Sequence, residues 1–230
     1  MSTPDLMNRL RGLVETRVKL YNVYKGVLVN YEATVKHVAE RAVKLQVARA
    51  QAVALAFERQ TRMEVPGFAT VIEGFVSEID IPAETAWLRD LHPALTALLR
   101  RMETRVEPKD PIQVEVETSR MKLTTQLVDI SGSGMGLLVG VLYATSTVFP
   151  PNSEITARIF GLPTSRNPVV VQGRIMYVRN EVDQGRLGIG GVSSLLNTPA
   201  IRDYIGQRQS EIMRELNLIY QAEVQKRLKG

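Results

Sequence analysis

The chain has 230 residues, 44% of them apolar and 23% charged, with a formal net charge of +5. That length supports one large domain or two small ones with buried cores, and no apolar run approaches the ~20 residues of a membrane-spanning helix. Cysteine is absent, which excludes disulfides, zinc–thiolate sites and thiol chemistry; MSTPDLMNRL lacks the apolar stretch of a secretory leader, so a cytoplasmic protein is expected.

Thr3 as a cap, Pro4 at the first helical position and Asp5 in the first turn open a helix. Leu6, Leu10, Leu13 and Val14 carry it over residues 4–16. From Val18 the pattern turns to strands: VYKGVLVNY, ATVKHVAE, AVKLQVA, AVALAFE and ATVIEGFVSEID are short, rich in valine and partly alternating. Turns are expected at Asn30-Tyr31, Glu40-Arg41 and Pro66-Gly67. Residues 83–104 have a helical composition divided by Pro93, which predicts a helical linker between two β units. A second series follows: IQVEVET, LTTQLVDI, GLLVGVLY, SEITARIF, VVVQGRIMYV and RLGIGGVS. In the fifth of these, Val169, Val171, Gly173, Ile175 and Tyr177 share one face, and Gln172 and Arg174 the other. From Thr198 the chain is helical to its end. Ile205, Ile212, Ile219 and Leu216 form a stripe that Arg208, Glu215 and Glu223 interrupt. Such a helix either lies on its own barrel or offers a homo-oligomeric seam.

The pattern predicts a mainly β fold with helices: two small β-barrel-like domains, a helical linker and a long C-terminal helix. The expected boundaries are 1–90 for an N-terminal helix and first β domain, 91–105 for a linker, 106–197 for the second β domain and 198–230 for the helix. His37 and His92 have no partner at a metal-ligand spacing, and the acids are dispersed. No catalytic constellation, metal or cofactor is therefore expected, and the chain does not read as an enzyme.

The stretch VDISGSGMGLLV, residues 128–139, concentrates glycine and serine beside an acid. As a dinucleotide-binding loop it fails, because a strand-like segment follows where a helix N-terminus must face the pyrophosphate. As a P-loop it fails for want of a Gly-Lys-Ser/Thr ending. As a tight turn between antiparallel strands it fits, with Asp129 and Ser131 bonding nearby backbone.

Upstream lies LLRRMETR, residues 98–105. Arg101 and Arg105, then Asp129-x-Ser131-x-x-Gly134 after 23 intervening residues, resemble the two-part signature of the PilZ family. GRIMYVRNEVDQGRLGIGGV, residues 173–192, looks like the closing strands of such a domain, and the likeness spans roughly residues 98–196. The first β unit is similar, in architecture alone, to the degenerate β domain of flagellar-brake-like members. The resemblance implies a six-stranded barrel that binds cyclic di-GMP. Arg101 and Arg105 would wrap the ligand, with Arg100 adding a phosphate or stacking contact. Asp129 would accept from a guanine N1–H and N2–H₂ edge, Ser131 would bond at the ligand's rim, and Gly134 would permit close backbone approach. Independently, an arginine fork matches the O6 and N7 of guanine, matches phosphate oxygens and stacks on aromatic planes.

The expected function is thus a bacterial second-messenger receptor. It would signal by interdomain or partner-surface rearrangement to an unidentified downstream protein, in motility, pilus or exopolysaccharide control. A PilZ-like adaptor that binds no ligand is an alternative. So is a basic barrel for single-stranded nucleic acid, which would want more aromatic platforms than a 6% aromatic content supplies.

Overall fold

The computed structural model describes residues 3–94, 104–181 and 183–229. It divides into two units, Met1–Met102 with Ile212–Gly230, and Glu103–Glu211.

The first unit holds α1 (Thr3–Arg11), β1 (Arg17–Tyr24), β2 (Val27–Val38), β3 (Ala42–Gln46), α2 (Arg49–Glu58), β4 (Gln60–Glu64), β5 (Ile72–Asp80) and β6 (Thr85–Pro93). The strands close into an antiparallel barrel in the order β1-β2-β3-β6-β5-β4. Alternation drives it: β1 buries every second residue from Val18 to Tyr24, and Leu20, Val35, Val43, Leu45, Ile72 and Leu88 are sealed from solvent. Burying each such side chain contributes about 1.5–3 kcal/mol.

The structure departs from the sequence expectation at four places. The first helix ends at Arg11 rather than 16, where Gly12 and Leu13 turn back onto the Arg9 and Leu10 carbonyls. The first hairpin turns at Lys25-Gly26, whose φ angles of 47° and 79° suit a two-residue turn matched to the strand twist; Asn30 and Tyr31 lie inside β2, paired with Tyr21 and Leu20. Glu40-Arg41 and Pro66-Gly67 do fall between elements. The AVALAFE segment is the helix α2, not a strand. Ala50 to Leu55 are all buried, so the helix carries no polar stripe to betray its period. Thr85–Pro93 is a strand, not part of a helical linker. Its alanine and leucines favour helix in isolation, but pairing to β3 on one side and β5 on the other overrides that preference. Residues 95–103 of the expected linker lie outside the described residues.

The second unit holds β7 (Gln113–Glu117), β8 (Lys122–Ile130), β9 (Gly134–Val139), β10 (Glu154–Ile159), β11 (Val169–Asn180) and β12 (Gly185–Gly191). They close in the order β7-β8-β9-β12-β11-β10. Numbered from its own first strand, each barrel therefore runs 1-2-3-6-5-4. Val114, Ile130, Leu137, Phe149, Ala157, Ile159, Ile175 and Leu187 fill the second core. In β11 the faces fall as the sequence indicates up to Ile175, after which the register shifts at Met176.

The last helix, α3 (Pro199–Lys229), contributes to both units. Within the second, Ile201 and Ile205 are buried, and Arg208 donates from Nε to the Glu107 carbonyl at 2.9 Å and pairs with Glu211 at 2.9 Å. Within the first, Ile212 and Leu216 are buried. There Tyr24 donates to Glu215 at 3.0 Å, Tyr220 to Glu84 at 2.8 Å and Arg227 to Asp80 at 3.0 Å. Ile205, Ile212 and Leu216 of the apolar stripe are thus buried, and Ile219 is half-buried. No described helix is long and apolar enough to cross a membrane.

Candidate functional site

Strand β8 ends in Val128-Asp129-Ile130, and β9 begins at Gly134. The intervening turn closes on one carbonyl: the Ser131 amide donates to Gly134 O at 2.8 Å and the Ser131 hydroxyl to the same oxygen at 3.2 Å. Two further amides pin the turn from outside, Gly191 onto Ser133 O at 3.0 Å and Leu195 onto Gly132 O at 2.7 Å. Ser131 is wholly buried. A Cβ on Gly134 would lie 2.2 Å from the Ile189 carbonyl oxygen, so the glycine is required for β9 to meet β12.

The register of β8 on β9 shifts between Leu127 and Asp129. The bulge leaves Leu127 in the core opposite Leu137 and sets the Asp129 side chain over Gly136. Beside it, Val106 bridges to Ile130 through two backbone hydrogen bonds of 2.9 and 3.0 Å. That bridge brings Arg105 alongside, and its NH1 donates to Asp129 Oδ1 at 3.0 Å. From the far strand, Arg186 NH2 donates to Asp129 Oδ2. The Asp129 side chain is 7% exposed, against 39% for Arg105 and 32% for Arg186. A carboxylate removed from water is thus compensated by two guanidinium groups that stay partly wet.

Glycines clear the space for this cluster. A Cβ on Gly136 would lie 3.0 Å from Asp129 Oδ2 and 3.2 Å from Arg186 Nε. One on Gly188 would lie 2.3 Å from the Tyr177 ring, which therefore rests directly on the β12 backbone. Arg179 stacks on the same ring with its Cζ 4.8 Å from the centroid. The result is a ledge that offers guanidinium donors, one carboxylate and an aromatic face. Such groups can grip phosphate, bond a purine edge and stack on a base.

Of the residues singled out in the sequence, Arg105 and Asp129 are in direct contact. Ser131 and Gly134 occupy the adjacent turn, where hydroxyl and hydrogen both serve the fold. Arg100 and Arg101 lie outside the described residues. Arg186, Gly136, Gly188 and Tyr177 are not among the site residues that the sequence suggests. Their signal was the run GRLGIGG, where glycine at alternate positions of a strand strips one face of side chains and leaves a single arginine on it.

A closed six-stranded barrel with an arginine–carboxylate cluster on its wall defines the class of domain. Its family follows: residues 99–200 match the PilZ domain family, and this part of the chain is a PilZ domain. Similar solved structures include YcgR from Escherichia coli in complex with c-di-GMP, at 12% identity over 94% of this chain and 92% of that one, with a TM-score of 0.43. The Bacillus subtilis inhibitor of motility MotI/DgrA matches at 11% identity over 86% and 98%, with a TM-score of 0.41. The K. pneumonia MrkH–c-di-GMP complex matches at 11% identity over 96% and 97%, with a TM-score of 0.38. No curated protein sequence matches the chain.

Proposed function

We propose that the second barrel is a receptor for cyclic di-GMP. The observation that carries this reading is the ion pair between Arg105, the second arginine of the R-x-x-x-R segment, and Asp129, the acid of D-x-S-x-x-G. The two halves of the signature, 24 positions apart, meet in space. On binding, Arg105 exchanges Asp129 for a phosphate or guanine edge of the ligand, joined by Arg101 and Arg100. Asp129 accepts from the guanine N1–H and N2–H₂ groups. Ser131 and Gly134 shape the turn beneath the ligand's rim. The segment that carries the arginines then takes a new course, and the altered surface is presented to a protein partner in motility, pilus or exopolysaccharide control.

Calorimetric titration of the full chain with cyclic di-GMP tests this directly. Saturable heat at micromolar ligand is expected. A flat titration would overturn the reading and favour a protein-binding adaptor, for which the burial of Ser131 and the occupation of both Asp129 oxygens already speak.

A further inference from the structure

We propose that Arg186 is the positioning residue of this site: it holds Asp129 Oδ2 throughout, so that Arg105 alone is exchanged when a guanine arrives. The inference rests on the cyclic di-GMP reading and assigns a role to a residue outside the family signature.

The two arginines on Asp129 are held in different ways. Arg105 stands outside the named strands, next to Val106 and its isolated bridge to Ile130. Arg186 stands within β12, paired with Leu138 of β9 on one side and Arg179 of β11 on the other. Its backbone cannot leave without opening the barrel. Its guanidinium sits in a slot that Gly136 provides, and its Nε is buried with no acceptor. Arg186 is therefore held by its strand as well as by Asp129, whereas Arg105 is held by Asp129 and by the bridge of the residue next to it.

This asymmetry solves a problem of charge. A carboxylate as buried as Asp129 is costly to leave uncompensated. Were Arg105 its sole partner, a ligand would have to draw that arginine away against the full cost. With Arg186 in place, the departure of Arg105 leaves a carboxylate still paired through Oδ2. A carboxylate pinned at one oxygen also keeps its plane, and Oδ1 faces the ledge in a set direction. Each carboxylate oxygen accepts more than one hydrogen bond, so Oδ2 can still take part. Guanine presents two N–H groups to such an acceptor pair, whereas the ring nitrogen of adenine presents a lone pair and is repelled. Arg186 thereby sharpens the choice of purine without touching it.

Two measurements test the role. In ligand titrations, Arg186→Met should weaken cyclic di-GMP binding by about 10-fold. It should also narrow the preference over cyclic di-AMP, with Arg186→Lys restoring most of both. Unchanged affinity and preference in Arg186→Met would overturn the proposal. The second measurement needs no ligand: urea denaturation of the parent, Arg105→Ala, Arg186→Met and the double variant. Removing Arg105 should shift the midpoint little in the parent and several times more where Arg186 is already gone. Equal shifts in the two backgrounds would overturn the resident role. A parent that binds no cyclic di-GMP but shows the unequal shifts would sink the receptor reading alone.

Discussion

The two barrels share one strand order, and around the second and third strands they share register as well. In the first, β2 bulges between Val35 and His37, and His37 then faces Lys44. In the second, β8 bulges between Leu127 and Asp129, and Asp129 then faces Gly136. Across the next seam, Lys44 faces Trp87 where Gly136 faces Gly188. The first barrel fills this corner with side chains: the His37 and Trp87 rings lie 5.8 Å apart, edge to face, and Lys44 Nζ sits 5.9 Å from the Trp87 centroid. The second places glycines at the same corner, lays the Tyr177 ring over Gly188 and sets an acid and two arginines beside Gly136. One backbone plan, bulge included, therefore carries two very different walls. A handful of residue choices on one plan decides whether the wall is covered or open.

Transplanting residues between the barrels tests that statement most severely. Gly188→Trp copies Trp87 into the second barrel, where even a Cβ meets the Tyr177 ring at 2.3 Å. It should cost about 3 kcal/mol in urea denaturation and abolish cyclic di-GMP binding. A variant that folds and binds like the parent would show the glycine floor to be incidental. Next in size, Asp129→Ala strands two guanidinium groups. Loss of a buried ionic partner usually costs 3–5 kcal/mol, and the partial exposure of both arginines brings the expectation down to about 2 kcal/mol. Its counterpart at the same register, His37→Ala, should cost less than about 1 kcal/mol and leave ligand affinity untouched. Smaller again, Arg105→Ala should lower cyclic di-GMP affinity about 10-fold by calorimetry while changing stability by under about 1 kcal/mol.

The smallest effect expected is on pH, and it involves both units. Burial and the neighbouring Glu64 push the Tyr21 phenol up to about 12, and burial with Glu215 does the same for Tyr24. In the second unit, burial raises Tyr204 to about 12 although Arg208 opposes the shift. A phenol that keeps its proton longer in the folded state contributes stability that is complete below pH 10. That contribution is lost as pH rises from 10 towards 12. Urea midpoints should fall over that interval, and Tyr204→Phe should flatten the fall for the second unit alone.

How much of this was legible in the sequence depended on whether burial was one-sided. The strands of the second series were readable because one face is wet, as in Val169, Val171 and Ile175 against Gln172 and Arg174. Helix α2 was not, since burial on all sides erases periodicity, and β6 was not, since its residues prefer helix until two neighbouring strands claim them. At the site, Arg105 and Asp129 were legible through their resemblance to the two-part PilZ signature. Arg186 was not: it lies 57 positions from Asp129, and closure of the barrel is what joins them. A motif of two short stretches is silent about a residue that only closure of the barrel brings beside them.

Closure has a further consequence. In both rings every strand is bonded to a neighbour on either side, so neither offers the row of free amides and carbonyls along which another polypeptide could lie down as an added strand. Whatever protein comes to these walls must read them through protruding groups and turns. The same absence of a sticky rim guards two valine-rich domains against stacking into fibres.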